Sequence, residues 1–202
     1  MIIIDMGSGN SCLNQLDTVK RMITEFASID PHNHDIVIKW QLFENQGKNI
    51  PLQRWLFAKA YELAWGFGYE TTASVFDMMS LDFLLKFEVP FIKIANNKDA
   101  YKLIEKIPDD IRVIRSVGDP DQFGSDSMCC VSQYPAKKEK YEKIFKEEQL
   151  RQGISDHTVN FDLYGKYKPE LYEFHFCLEH DNKDNPDGGL FARTPRDLKE
   201  IL

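Results

Sequence analysis

Thiols are scarce in this chain. Its 202 residues hold four cysteines, Cys12, Cys129, Cys130 and Cys177, and no two of them have CxxC spacing. A disulfide framework in a chain of this size would look different. Reduced thiols in a cytosol, each acting as a small buried apolar group, are the better reading, so a cytoplasmic protein is expected. Positive charge is also in deficit. Lys and Arg number 25 against 32 Asp and Glu, giving a formal charge of −7, which excludes a global basic footprint for nucleic acid. A local cationic pocket is still allowed. No apolar run approaches the ~20 residues of a membrane span. The opening Met1-Ile2-Ile3-Ile4-Asp5 has neither a basic flank nor a long apolar stretch, so a strand is expected there and not a signal peptide. A Gly-rich phosphate loop is missing, since Gly7-Ser8-Gly9-Asn10 is not GxGxxG. The chain shows no repeat, low-complexity tract or linker, so one domain over residues 1–202 is expected. What is present is ordinary: 43% hydrophobic and 28% charged residues, enough to bury a real core.

Short apolar runs alternate with amphipathic stretches. Strands are predicted at 2–4, 36–38, 72–75, 91–94, 112–114, 128–131, 153–155 and 171–174. Helical patterns are predicted at 16–26, 55–65, 81–87, 100–104, 137–150 and 195–202. The strand runs are apolar on both faces, which suits a parallel sheet covered by helices. Eight βα units favour a closed barrel over an open sheet. At about 25 residues per unit the chain is shorter than a full βαβ repeat allows. The predicted fold is therefore α/β, a minimal (β/α)8 TIM barrel with some short or missing helices. Residues 118–127 and 160–169 are poor in helix signal and are expected to be loops or single turns. The mixed-sign run from Lys137 to Lys143 reads as a solvated helix face.

The C-terminal ends of barrel strands open into the active site, so the polar residues there matter most. In chain order they are Asp5; Lys39 and Gln41; Ser74; Lys93 with Asn96 and Lys98; Arg115 and Ser116; Ser132 and Tyr134; Ser155 and His157; Glu173 and His175. Lys39 and Lys93 sit inside apolar strands, where an unpaired ammonium is costly, so each needs an anion. With the hydroxyls of Ser74, Ser116, Ser132 and Ser155 they suggest a cradle for a phosphate or a carboxylate. His157 and His175 end neighbouring strands and can share one borderline metal ion such as Mn²⁺, Zn²⁺ or Fe²⁺. The acid-rich stretch from Glu179 to Asp187 reads either as a solvated loop or as a device placing a carboxylate, best Asp187, over the site.

These segments together resemble the N-acetylneuraminate (sialic acid) synthase family. The likeness is carried by Asp5-Met6-Gly7, Lys39-Trp40-Gln41, Ala73-Ser74-Val75-Phe76-Asp77, Val89-Pro90-Phe91-Ile92-Lys93-Ile94-Ala95, Ser132-Gln133-Tyr134-Pro135, Gly153-Ile154-Ser155-Asp156-His157-Thr158, Glu173-Phe174-His175-Phe176 and Pro186-Asp187. The resemblance implies a (β/α)8 barrel that condenses phosphoenolpyruvate with an aldehyde sugar, releasing phosphate, with a divalent metal, Mn²⁺ or Mg²⁺. It implies catalytic roles for Asp5, Lys39, Lys93 and Asp187. Lys93, Ser116, Ser155 and Ser132 fall where phosphate is held, Lys39 and Ser74 where the phosphoenolpyruvate carboxylate is held. Gln41, Tyr134 and Asp187 fall near the sugar or a metal-bound water, and His157 and His175 match the metal ligands. The implied partners are these small molecules, with no nucleic acid and no membrane; a homodimer is left open.

The chain departs from the family at informative positions. Asp5 replaces a glutamate, Asn96 a phosphate-binding serine, and Lys98 a glutamate that contacts the sugar. Arg115 stands where an aliphatic residue is usual. The family's C-terminal antifreeze-like domain has no counterpart in the 202 residues, so a barrel without that lid is expected. Lys98 and Arg115 would suit a more anionic acceptor, such as a phosphorylated sugar. Three other readings stand beside the synthase: another metal-dependent lyase or aldolase on the same barrel, a non-catalytic barrel that binds a metabolite or partner, and a Schiff-base aldolase working through Lys93.

Overall fold

Eight strands form in the computed structural model, which describes residues 1–30, 35–180, 185–199 and 201. They are β1 (Ile2–Asp5), β2 (Ile36–Leu42), β3 (Glu70–Val75), β4 (Ile92–Ile94), β5 (Val113–Val117), β6 (Ser127–Cys130), β7 (Gly153–Asp156) and β8 (Leu171–His175). Each pairs in parallel with the next, and β8 pairs with β1 to close the barrel. Closure removes every exposed sheet edge.

The two-residue period of a strand explains the interior. Ile3, Val37, Phe91, Ile114, Met128 and Leu171 form an apolar plug of their own inside the ring. Two residues further along their strands stand Asp5, Lys39, Lys93, Ser116, Cys130 and Glu173, which line a cavity at the C-terminal mouth. One pleat thus separates a dry core from a polar chamber. The opposite parity, including Ile4, Ile38, Trp40, Ile92, Ile154 and Phe174, packs outward with the helices in a second, larger core. Where β7 starts, Gly153 is needed: a Cβ there would lie 2.6 Å from the Ser127 carbonyl of β6.

The helices are mostly short. They are α1 (Gly9–Cys12), α2 (Leu16–Ala27), α3 (Arg54–Gly66), α4 (Met78–Leu84), α5 (Lys98–Tyr101), α6 (Lys138–Ile144), α7 (Glu147–Gln152), α8 (Asp162–Tyr167) and α9 (Pro195–Leu198). Two of them, α2 and α3, bury a full apolar stripe: Val19, Met22, Ile23 and Phe26 on the first, Leu56, Phe57, Ala60 and Ala64 on the second. The β5–β6 connection holds a single 3₁₀ turn, Pro120–Gln122, as the sequence predicts. Residues 160–169 hold more than a turn. They form the six-residue α8, because Leu163 and Tyr167 are four apart and both buried, which offsets the cost of Gly165. The helix predicted over 137–150 breaks in two. Phe145 takes an extended backbone and buries its ring, and Gln149 then accepts a bond at 3.0 Å from the Lys146 amide to start α7. Of the closing helix predicted over 195–202, α9 covers the first turn; Glu200 and Leu202 lie outside the described residues. So do residues 181–184 of the acid-rich stretch. No helix among the described residues is long and apolar enough to cross a membrane.

Candidate functional site

The cavity at the mouth has a volume of about 780 Å³. Strand register decides who meets whom in it. The β1–β2 register sets Asp5 beside Lys39, β1–β8 sets Asp5 beside His175, and β3–β4 sets Ser74 beside Lys93.

The two lysines find anions within the chain. Lys39 Nζ donates to Asp5 Oδ2 at 2.7 Å and to Ser74 Oγ at 3.0 Å. Burial works against the Lys39 ammonium, but Asp5 and Glu173 outweigh it and raise its pKa. Asp5 also accepts from Gln41 Nε2 at 2.9 Å and from the Gly7 amide at 2.9 Å. Burial alone would raise the Asp5 carboxyl; Lys39 and His175 overcome it and hold it at about 2. Lys93 is less well satisfied. It donates to Ser116 Oγ at 2.6 Å, while the Glu173 oxygens stand 3.3 and 3.4 Å away. Burial therefore lowers the Lys93 pKa in spite of Glu173. Glu173 accepts from Ser155 Oγ at 2.9 Å, and its Oε2 has no hydrogen-bond partner. Burial tends to raise the Glu173 pKa, but Lys93 and Lys39 pull it below the ordinary value. Glu173 Oε2 thus keeps an unused acceptor position, and the Lys93 ammonium a third N–H, for a ligand.

The histidines form the adjoining wall, with ring centroids 5.5 Å apart. His157 Nδ1 lies 2.9 Å from the Val131 carbonyl. A carbonyl only accepts, so Nδ1 carries the proton and Nε2 presents a lone pair. Burial, with His175 nearby, pushes the His157 pKa down to about 3, so the ring is neutral. His175 Nδ1 is buried without a partner, and its Nε2 stands 3.6 Å from Asp5 Oδ2. No cluster of three or more His, Cys, Asp or Glu side chains able to cage a metal occurs among the described residues. His157, with a free Nε2, and His175, with an unbonded Nδ1, fit a divalent cation that takes its other ligands from water or substrate oxygens. Tyr134 and Phe191 cover this pair, at 4.2 Å from the His157 ring and 5.0 Å from the His175 ring.

Asp187 closes the third side. Its Oδ2 accepts from the Ser8 amide at 2.7 Å, Ser8 Oγ at 2.6 Å, Ser11 Oγ at 3.3 Å and Asn10 Nδ2 at 3.5 Å. The approach requires Gly7, which has φ +79° and whose Cβ would stand 2.7 Å from the Asp187 Cβ.

The structure brings together Asp5, Lys39, Gln41, Ser74, Lys93, Asn96, Ser116, Ser132, Tyr134, Ser155, His157, His175 and Asp187 around one cavity. Asn96 reaches Ser132 Oγ at 3.1 Å and accepts from Tyr101. Two candidates are not there. Lys98 is exposed on the first position of α5, and Arg115 has the outward parity of β5, donating to the Gln122 carbonyl at 2.8 Å and to Ser127 Oγ at 3.2 Å. With both outside, the case for an anionic acceptor loses its cations. Glu173 was visible as a strand-end acid, and its two-residue spacing from His175 is the signal that both face inward. Cys130 lines the cavity too, beside Lys93, though burial lifts its thiol to about 11 and keeps it protonated. Ser8 and Asn10 stand in the polar stretch after β1, where the resembled family has an Asn-His pair, but the grip of Ser8, Asn10 and Ser11 on Asp187 has no sequence signal, because that partner lies far along the chain.

No family model and no curated protein matches the sequence. Solved structures do match its shape. An N-acetylneuraminic acid (sialic acid) synthetase from Leptospira borgpetersenii serovar Hardjo-bovis, in complex with citrate, superposes with a TM-score of 0.75 at 20% identity, over 98% of this chain and 80% of that one. The spore coat polysaccharide biosynthesis protein SpsE of Bacillus subtilis gives 0.69 at 17% identity, over 99% of this chain and 65% of that one. A truncated 3-deoxy-D-arabino-heptulosonate 7-phosphate synthase from Thermotoga maritima gives 0.64 at 10% identity, over 99% and 83%. At these identities the likeness shows the fold: the chain takes the barrel fold of the sialic acid synthetase.

Proposed function

We propose that the chain is a sugar-acid synthase of the sialic acid synthase type, which joins phosphoenolpyruvate to an aldehyde sugar and releases phosphate. The observation that carries this reading is the buried floor of Lys39, Lys93, Ser74, Ser116 and Ser155 directly beside two imidazoles with free nitrogens. That the similar synthetase binds citrate, a small polycarboxylate, supports an anionic ligand for such a floor. Lys93, Ser116 and Ser155 would hold the phosphate, and Lys39 with Ser74 the carboxylate. The enol carbon attacks the aldehyde carbon; as the C–C bond forms, the carbonyl π bond breaks and its oxygen takes up a proton to become a hydroxyl. Water adds at the neighbouring carbon, and the C–O bond to phosphate breaks, leaving a 2-keto acid. Asp5, ionised and bonded to Lys39 and Gln41, would accept a hydrogen bond from that water and, as a weak base, take its proton. A Mn²⁺ or Mg²⁺ ion at His157 and His175 would polarise the aldehyde oxygen as a Lewis acid. The cavity lining also offers Gln41, Gln46, Asn49, Asn96 and Asn97, neutral amides suited to an uncharged polyhydroxy aldehyde.

The test is phosphate release from phosphoenolpyruvate, with Mn²⁺ present, across a panel of neutral and phosphorylated aldehyde sugars. Release that depends on a neutral sugar is expected. Release with none of them, alongside normal phosphoenolpyruvate binding, refutes the synthase reading. A second reading rests on Lys93, whose side chain lines the cavity and whose pKa burial lowers, a shift in the direction that favours a nucleophilic amine for a carbonyl substrate. Borohydride trapping of pyruvate on Lys93 would favour it; no adduct removes it.

A further inference from the structure

Arg193 is 1% exposed, one of the largest fully buried side chains, and does not line the cavity. It lies behind the two histidines. Its backbone amide donates to the His175 carbonyl at 2.7 Å, and its own carbonyl accepts from the Cys177 amide at 2.9 Å. These bonds and the Phe176–Arg193 bridge lay the segment along the outer end of β8. The guanidinium then crosses to the loop after β7. Nη1 donates to the Thr158 and Phe191 carbonyls, both at 2.7 Å, and Nη2 to the Asn160 carbonyl. Nη2 also stands 3.6 Å from Asp156 Oδ2, and the group lies 4.7 Å over the Phe161 ring. Asp156 is itself fixed by the Thr158 amide at 2.7 Å and the Tyr172 hydroxyl at 2.6 Å.

Those partners bracket the site. Asp156 and Thr158 flank His157 in sequence, the main chain of Arg193 bonds His175, and Phe191 packs on the His175 ring. We infer that Arg193 is a positioning residue that sets the spacing and tilt of the His157–His175 pair by tying the ends of β7 and β8 together from outside the barrel. The planar fork is what makes this feasible. It spans three carbonyls at once, which the point charge of a lysine does not. For the pair as a cation site, the inference rests on the proposed function; for the geometry of the pair, it does not.

The test uses the full chain as wild type, Arg193→Lys, Phe161→Leu and, as a control, His157→Ala. Long-range ¹⁵N–¹H imidazole spectra of the cation-free protein report the ring environments. Mn²⁺ titration and phosphoenolpyruvate titration report the two halves of the site, and circular dichroism reports folding. Folded Arg193→Lys is expected to shift the signals of both rings and weaken Mn²⁺ about tenfold or more, the usual cost of losing support behind metal ligands. Phosphoenolpyruvate affinity should fall by clearly less than Mn²⁺ affinity, since both lysines lie on β2 and β4 and of the floor only Ser155 lies on β7. Phe161→Leu should move the same readouts in the same direction by less. Unchanged imidazole signals in folded Arg193→Lys overturn the inference, as does an equal loss of phosphoenolpyruvate and Mn²⁺ binding. If Arg193→Lys does not fold, Phe161→Leu is judged by the same criteria. If the wild type binds no Mn²⁺, the cation reading falls, and the imidazole signals alone decide the positioning role.

Discussion

Replacing Asp5 by Asn tests the electrostatic core of the site. The substitution keeps the shape and leaves an amide oxygen to accept the Gly7 amide bond, but it removes the charge 2.7 Å from the Lys39 ammonium. Asp5 and Lys39 are 2% and 1% exposed, so water does not take over. Breaking such a buried pair from one side costs about 3–5 kcal/mol. The depression of the Asp5 carboxyl to about 2 agrees in scale, since each pKa unit corresponds to about 1.4 kcal/mol. Glu173 lies near enough to raise the Lys39 pKa and relieves part of the loss, which favours the lower end of that range. For a chain of this size each kcal/mol moves the melting point by about 2–4 °C, so a drop of about 6–15 °C is expected by calorimetry. The double variant Asp5→Asn/Lys39→Met removes both charges and should recover most of it, to within about 1–2 kcal/mol of wild type. Two outcomes refute the reasoning: a single variant that loses less than about 1 kcal/mol, or a double variant no more stable than the single.

Other outcomes follow from the same geometry. Lys93→Met should weaken phosphoenolpyruvate binding by about 2–3 kcal/mol in titration calorimetry, the scale of a lost hydrogen bond to a charged group. Lys98→Ala and Arg115→Ala should leave it unchanged, because neither side chain lines the cavity; an equal loss in all three would contradict that placement. His157→Ala should lower Mn²⁺ affinity at least tenfold by electron paramagnetic resonance titration while phosphoenolpyruvate still binds, since the second shell alone is worth that much. Ser8→Ala removes one of four donors to Asp187 Oδ2, and a loss of about 1 kcal/mol in denaturant unfolding is expected.

Much of the barrel was legible because its signal is local. Each strand announces itself by an apolar run, and period-two parity then tells which residues share a face. That is why Asp5, Lys39, Lys93, Ser116 and Ser155 were identifiable as inward groups at strand ends. The same rule applied to Arg115 would have turned it outward, since Ser116 beside it faces in. Lys98 was harder: it lies beyond β4, where strand parity no longer applies and the start of α5 decides its direction. The break between α6 and α7 was hidden for a similar reason. Helical periodicity runs through Phe145, but burying its ring against the barrel outweighs one continuous helix.

The sequence by itself determined the alternation of elements, the polar layer at the strand ends, the net acidic charge and the lack of a GxGxxG loop. These depend on composition or on residues within a few positions of each other. Only the tertiary structure decided which groups are bonded. Asp5 meets Lys39 through strand register, Lys93 meets Glu173 across the barrel, Asp187 is gripped by Ser8 from the far end of the chain, and Arg193 locks two neighbouring loops. The sequence placed two lysines in need of anions but pointed outward for those anions, to a substrate. Burial supplied them from within, because an ammonium cut off from water is held by whichever carboxylate the closed barrel brings nearest.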